Sequence, residues 1–213
     1  TITAPAEGHH RHKKQTGGAG QFGEVFLRIE PLPRGAGFEF VDVVKGGAIP
    51  SNFMPAVEKG VREALAAGVI AGYAVEDIRV TVHDGKSHSV DSKDIAFATA
   101  TRKATWEAIM EARPIVLEPI VDVEILAPAA AMGDITGDLA SRRGQVNGTE
   151  AQLGGTMIVR GQAPAAELIA YATRLNAMTS GEGRYTIAFS HYEPAPATVQ
   201  NNLRKEHKPV EVE

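Results

Sequence analysis

Gly18-Ala19-Gly20-Gln21-Phe22-Gly23-Glu24-Val25 runs straight into Phe26-Leu27-Arg28-Ile29, and the element after this glycine-rich segment decides the fold class. Glycines so spaced let backbone N–H groups approach a phosphate closely. A dinucleotide-binding loop needs a strand before it and a helix after it. Here Val25, Leu27 and Ile29 alternate with Phe26 and Arg28, the period of a half-buried strand, so that reading fails. The same letters satisfy the kinase pattern G-x-G-x-x-G-x-V, which does expect a strand next. A kinase also requires a strand lysine such as that of V-A-I-K, an H-R-D catalytic loop and a D-F-G metal ligand, and the sequence has none of them. G-x-x-x-x-G-K-[ST] is likewise absent, so this chain is not itself a P-loop GTPase.

Outward from that strand, Pro31–Gly37 is turn chemistry and Phe38–Val44 reads as the hairpin partner. Pro55–Ala67 reads as a helix with Val57, Val61, Ala64 and Leu65 on one face and Gly68 as its C-terminal cap. Ile78, Val80 and Val82 mark another strand, and Asp84-Gly85 a turn. A long helix is expected from about Ser92 to Ala112, with Asp91 or Ser92 as its cap. Phe97, Ala100, Ala104 and Ala108 give it a stripe of mostly small residues suited to close packing on a sheet. The order is β-β-α-β-α.

Arg113-Pro114 ends that helix, since the residue before proline is pushed out of helical geometry. A second module begins there. Val121, Val123 and Ile125 mark a strand; Met132, Ile135 and Leu139 a helix ending at Gly144. Val146 and Met157–Val159 mark two strands around Gly154-Gly155. Pro164 starts a helix with Leu168, Ala172, Leu175 and Met178 buried, and Tyr185, Ile187 and Phe189 form the last strand. The order β-α-β-β-α-β is that of a ferredoxin-like domain. The fold class is therefore α+β in two domains, 1–114 and 115–195, with 196–213 as a partly ordered C-terminal tail.

With 43% hydrophobic and 23% charged residues the composition is that of an ordinary globular chain. The absence of cysteine excludes disulfide frameworks, thiolate metal sites and cysteine nucleophiles, and fits a cytoplasmic location. No apolar run is long enough to span a bilayer, so no membrane partner is expected. Because the first residue is Thr1 rather than Met, a processed protein or a piece of a longer chain is expected. The formal net charge of −4 argues against a uniformly nucleic-acid-binding surface. Locally, however, no acidic residue lies between Glu7 and Glu24, where Arg11, Lys13 and Lys14 sit among His9, His10 and His12. This arm reads as a flexible, solvated basic segment or as one that contacts phosphates. The three histidines lack a second ligand cluster, so no metal site is expected. His88, Asp91 and Ser92 have the letters of a hydrolytic triad, but sequence neighbours rarely form one. Arg142-Arg143 suits either a phosphate or the negative end of a helix dipole.

Taken in order, these pieces resemble bacterial elongation factor G. Lys14-Gln15-Thr16-Gly17-Gly18-Ala19-Gly20-Gln21-Phe22-Gly23 is similar to that family's K/R-Q-S/T-G-G-x-G-Q-Y/F-G segment. Glu30–Val41, Gly46-Gly47, Ile49-Pro50, Pro55-Ala56-Val57 and Lys59-Gly60 continue it. Asp84-Gly85, His88, Val90-Asp91-Ser92 and Ala96-Phe97 resemble its second loop and helix start. Leu117-Glu118-Pro119-Ile120, Met132-Gly133-Asp134, Gly137-Asp138-Leu139 and Arg142-Arg143-Gly144 resemble the start of its last domain; Tyr171-Ala172-Thr173 and His191-Tyr192 resemble the end. The likeness runs over roughly residues 8 to 203.

The resemblance implies a domain IV of ribosomal protein S5 domain 2-like fold, with a left-handed βαβ crossover, and then a ferredoxin-like domain V. It implies a ribosome-binding module, with no catalysis of its own, of a larger translational GTPase. GTP and Mg2+ would belong to an N-terminal domain, and no cofactor to this chain. The tip of domain IV would reach the decoding-side A site and promote tRNA and mRNA translocation. The tip maps onto Lys13, Lys14, Gln15, Thr16, Gly17, Gly18, Ala19, Gly20 and Gln21, and onto Ser87, His88, Ser89, Asp91 and Ser92. The implied partners are rRNA, the A-site tRNA and mRNA, and the large-subunit stalk base, met by a monomer. Three departures point to a divergent paralogue, serving ribosome recycling or another specialised role: Ala19 where the family usually has arginine, the histidine-rich arm, and Glu182 in a loop that usually carries a basic residue. A nucleotide-binding enzyme built on Gly18–Gly23 and a stand-alone adaptor are the alternatives from other classes.

Overall fold

The computed structural model describes residues 1–15 and 18–207. The chain forms two compact units, Thr1–Val116 joined by the chain from Ala195 onward, and Leu117–Pro194.

The first unit is a four-stranded sheet of β1 (Ala6–Lys14), β2 (Gln21–Pro31), β3 (Phe38–Asp42) and β4 (Ile78–Lys86), in the order β1-β2-β4-β3. Two helices, α1 (Met54–Ala67) and α2 (Asp94–Glu111), pack with it. Val25, Leu27 and Ile29 on β2 and Ile78, Val80 and Val82 on β4 are all fully buried, as their alternation predicts. They meet Val57, Val61 and Leu65 of α1 and Phe97 and Ile109 of α2 in one core. Removing one such side chain, as in Leu27→Ala, costs about 2–5 kcal/mol. The small stripe of α2 acts as its spacing predicts: Phe97, Ala100, Ala104 and Ala108 have no exposed surface. Close approach is enforced at Gly8 of β1, where a Cβ would lie 3.0 Å from the Ala104 carbonyl carbon and the Ala108 methyl. Gly68 caps α1 with φ +68°.

The structure corrects four of the sequence expectations for this unit. The basic arm is not a loose segment; as β1 it pairs antiparallel with β2 from Ala6↔Ile29 to Lys14↔Gln21. Its strand alternation was hidden because the positions facing the helices carry Gly8, His10 and His12 in place of apolar residues. Phe38–Asp42 is not the hairpin partner of β2, because β3 pairs in parallel with β4 and α1 forms the crossover between them. Asp84-Gly85 does not turn the chain. Strand β4 continues to Lys86, with a register irregularity opposite Phe26/Leu27 absorbing the extra residue. Finally, α2 begins at Asp94 with Lys93 in the cap position and no side-chain cap, since Ser92 is engaged elsewhere.

In the second unit β5 (Leu117–Pro128), β6 (Gln145–Ala151), β7 (Thr156–Pro164) and β8 (Arg184–Pro194) form an antiparallel sheet in the order β6-β7-β5-β8. With α3 (Met132–Ser141) and α4 (Tyr171–Thr179) this is the ferredoxin-like arrangement. Val121, Val123 and Ile125 of β5 pack on Ile135, Leu139, Tyr171 and Leu175. Pro164 opens a 3-10 turn rather than α4, and Ala170, at φ +59°, separates that turn from the helix that starts at Tyr171. That separation shifts the helical phase, so Tyr171, Leu175 and Thr179 are buried while Ala172 is exposed. The expected tail carries a helix instead, α5 (Ala197–Glu206), which is tied to the first unit. The Gln200 side chain accepts from Val116 N–H (3.1 Å) and donates to Ala195 O (2.7 Å), and Arg204 donates to Pro114 O (2.7 Å).

Candidate functional site

The β1–β2 turn and the β4–α2 connection lie at the same end of the first sheet, and backbone hydrogen bonds hold them together. Phe22 N–H donates to Asp91 O (2.9 Å), and Phe22 forms an isolated parallel bridge with Ser92. The Ser92 hydroxyl donates to Phe22 O (3.1 Å) and accepts from His88 N–H (2.8 Å). Gly20 lies against the Asp91 carboxylate, whose Cγ would be 2.7 Å from any Cβ. Gly23 has no room for one either: the Ala96 carbonyl carbon and Phe97 nitrogen, at the start of α2, would each be 3.0 Å away. The third glycine of the motif therefore serves strand–helix packing, and the second serves loop–loop packing.

Within the second loop His88 is the organiser. Its Nδ1 accepts from Val90 N–H (3.3 Å) and Asp91 N–H (3.2 Å), and Ser92 N–H closes the turn on His88 O (3.2 Å). The ring is about half exposed (52%) and lies 6.2 Å from the Phe22 ring. His88, Asp91 and Ser92 thus do come together, but not as a triad. Ser92 Oγ is bonded to backbone groups, and Asp91 Oδ2, 3.4 Å from Nδ1, faces the same ring nitrogen that the backbone donors occupy.

Of the residues expected at the tip, Lys13, Lys14, Gln15, Gly18, Ala19, Ser87, His88 and Ser89 are exposed, while Gly20, Gln21, Asp91 and Ser92 are half-buried. Thr16 and Gly17 lie outside the described residues. Gln21 is partly committed, with its Oε1 2.9 Å from His12 Nε2. Val90, quoted with the second loop but not counted among the contacting residues, is 78% exposed. An apolar side chain in an otherwise polar loop was the available signal.

Behind the tip, Glu24 is buried under the basic strand, with Oε1 2.8 Å from His9 Nε2 and Oε2 3.1 Å from Arg11. Burial alone would push this carboxyl up, but the bonds from His9 and Arg11 hold it below the ordinary glutamate range. Strand alternation sends His9 to this face, stacked on Phe26 at 4.0 Å. His10 lies on the other face, 3.5 Å from Glu107 of α2, so the histidines do not converge. A shallow hollow of about 670 Å³, lined by Val43, Lys45, His83 and Asp84, includes no residue of the glycine-rich loop.

In the second unit Arg142 and Arg143 are taken up internally. Arg142 pairs with Asp138 (2.7 Å) and donates to Glu167 O (2.6 Å); Arg143 pairs with Glu118 (2.6 Å) and Glu167 (3.0 Å). Arg174 also bonds Asp138 (2.9 Å). Burial would raise the Asp138 carboxyl, but its two arginine partners hold it below the usual range. Neither Arg142 nor Arg143 is free for a phosphate, and helix-dipole compensation is secondary to these pairs. Glu182 is exposed between Gly181 and Gly183, in the turn after α4.

Residues 1–113 match the family model described as elongation factor G, domain IV, and residues 115–203 that described as elongation factor G C-terminus. An elongation factor G-like protein of Thermotoga maritima is 46% identical over 208 residues, which is 98% of this chain and 30% of the relative. A crystal structure from Thermus thermophilus aligns with a TM-score of 0.86 at 40% identity, covering 96% of this chain and 30% of that one. The chain thus spans about 30% of the length of these relatives. Two adjoining family matches, on the strand orders and loop pairing just described, give the conclusion: the chain belongs to the elongation factor G family, as domain IV followed by the C-terminal domain.

Proposed function

We propose that this chain is the ribosome-facing part of an elongation factor G-like translational GTPase and that its joined loops enter the decoding-side A site during translocation. The observation that carries this reading is the tie from Phe22 to Asp91 and Ser92, which makes two loops one exposed tip. The work of such a tip is steric and hydrogen-bonding competition with tRNA for a pocket of RNA, and no bond is made or broken. A glycine-rich edge approaches a nucleic-acid groove closely, while His88 offers a polar group at its outer face. The exposed Lys13 and Lys14 add attraction that weakens with salt, by roughly 0.7–0.9 in logarithmic slope for each phosphate neutralised. GTP and Mg2+ belong, on this reading, to another domain of the protein, since the sequence here contains no P-loop. The partners are rRNA, the A-site tRNA and mRNA, and the large-subunit stalk base for the second unit, met by a monomer in the cytoplasm.

A second reading is favoured by Ala19 and Glu182, which stand where the family usually carries basic residues: the parent would then recycle ribosomes or serve a specialised role without translocating. Co-sedimentation with ribosomes at rising salt tests the shared core of both. Binding is expected to weaken with salt, with His88→Ala and with the double variant Lys13→Ala/Lys14→Ala. Sedimentation unchanged in both variants would overturn the tip assignment.

A further inference from the structure

We infer that His88 is a donor-only reader: its ring is fixed as the Nε2–H tautomer, so the RNA group it meets is a hydrogen-bond acceptor. A neutral imidazole carries one proton, and the nitrogen without it is an acceptor. Nδ1 is that acceptor here, because two backbone donors converge on it, Val90 N–H at 3.3 Å and Asp91 N–H at 3.2 Å. A proton on Nδ1 would point at both. Asp91 Oδ2, 3.4 Å away, would bond Nδ1 only at the expense of those two amides. The proton therefore resides on Nε2, which has no partner among the described residues and lies on a half-exposed ring.

The orientation is held from below as well as within the loop. His88 N–H is fixed by Ser92 Oγ at 2.8 Å, and the Ser92 proton is directed to Phe22 O on the neighbouring loop. Ser92 is thus a positioning residue that couples the direction of the His88 donor to the glycine-rich loop. Turning the ring over to offer Nδ1 outward would give up two amide bonds to water and loosen the loop. This discriminates among RNA groups: a phosphate oxygen or a base acceptor is accepted, and a base amino group is refused.

The inference rests on the tip reading above, but its first test does not need the ribosome. Long-range proton–nitrogen NMR of the free chain is expected to show His88 Nδ1 at the position of an unprotonated ring nitrogen and Nε2 at that of a protonated one. The reverse assignment, or an average of the two, would overturn it. Two substitutions then separate the roles of the ring nitrogens. His88→Asn retains an acceptor near Nδ1 and lacks the reach of Nε2; His88→Gln retains a donor near Nε2 and lacks the inner acceptor. His88→Asn is expected to keep the Val90 and Asp91 amides slow to exchange yet to lose roughly tenfold in ribosome affinity. His88→Gln is expected to release those amides and to keep most of the affinity. Equal losses of affinity in the two variants, both below the parent, would contradict the inference. If all His88 variants sediment like the parent while the tautomer assignment holds, the tip reading fails and the tautomer stands. Phosphorothioate interference and dimethyl sulfate protection distinguish a phosphate oxygen from a base nitrogen as the acceptor.

Discussion

Glu24 illustrates how much one side chain can settle at this end of the sheet. It is almost fully buried, yet it is kept ionised by His9 and Arg11, so its folded pKa is depressed. A depressed carboxyl contributes stability that is present above its unfolded value, ordinarily 4.5, and is lost as the pH falls through the folded one. Thermal melts over an acidic pH series should therefore show the first unit losing stability with acid, and Glu24→Gln should flatten that loss. A Glu24→Gln melt as steep in acid as the parent's would contradict the assignment. Ser92 makes a second prediction at this scale. Ser92→Ala removes the donor to Phe22 O that joins the two loops and the acceptor of His88 N–H within the second, at a cost of about 1–2 kcal/mol. The cost should appear as faster exchange of the His88 amide and of those around Phe22, and as a melting temperature of the first unit lowered by several degrees.

At the scale of the element, the strand β1 was the least legible part of the sequence. His9, Arg11 and Lys13 face away from the helices, while His10 and His12 replace the apolar residues that a strand pattern requires. What makes the segment a strand is backbone pairing with β2 and the absence of a side chain at Gly8, neither of which periodicity reports. By contrast β2, β4, α1 and α2 were legible, because their apolar residues recur at intervals of two or close to four and all reach the core. The pairing of β3 was not, since a parallel partner across a helical crossover and an antiparallel hairpin partner look alike in one strand's own letters. Gly8→Val should test the packing of β1 on α2 directly. Its side chain would meet the Ala104 backbone, so a loss of at least 1–3 kcal/mol is expected by chemical denaturation, reported by Trp106 of α2. Stability within a few tenths of the parent's would show that β1 is not seated as described.

For the whole molecule, the division into two units and the ferredoxin-like character of the second followed from element order and from the family likeness, whereas the strand order of the first sheet and the C-terminal helix did not. Ala197–Glu206 has a polar sequence and reads as tail; it is held by Gln200 and Arg204 on the linker carbonyls and on Val116. Ending the chain after Pro196 should lower the melting temperature of the first unit and leave that of the second unchanged. Among the described residues no helix is long and apolar enough to cross a membrane. The candidate site was legible as a set of residues because the glycine-rich loop and His88 have distinctive letters. How the loops are joined was not legible, because the bonds run through the Phe22 and Asp91 backbones, which any residue supplies. The central claim, that this joined tip occupies the ribosomal A site, is tested most directly by competition. Binding of the labelled chain should be measured on ribosomes with an empty A site and on ribosomes whose A site is filled by tRNA. The account predicts that A-site tRNA displaces the chain and that His88→Ala weakens only the binding to the empty site; equal binding to both kinds of ribosome would contradict it.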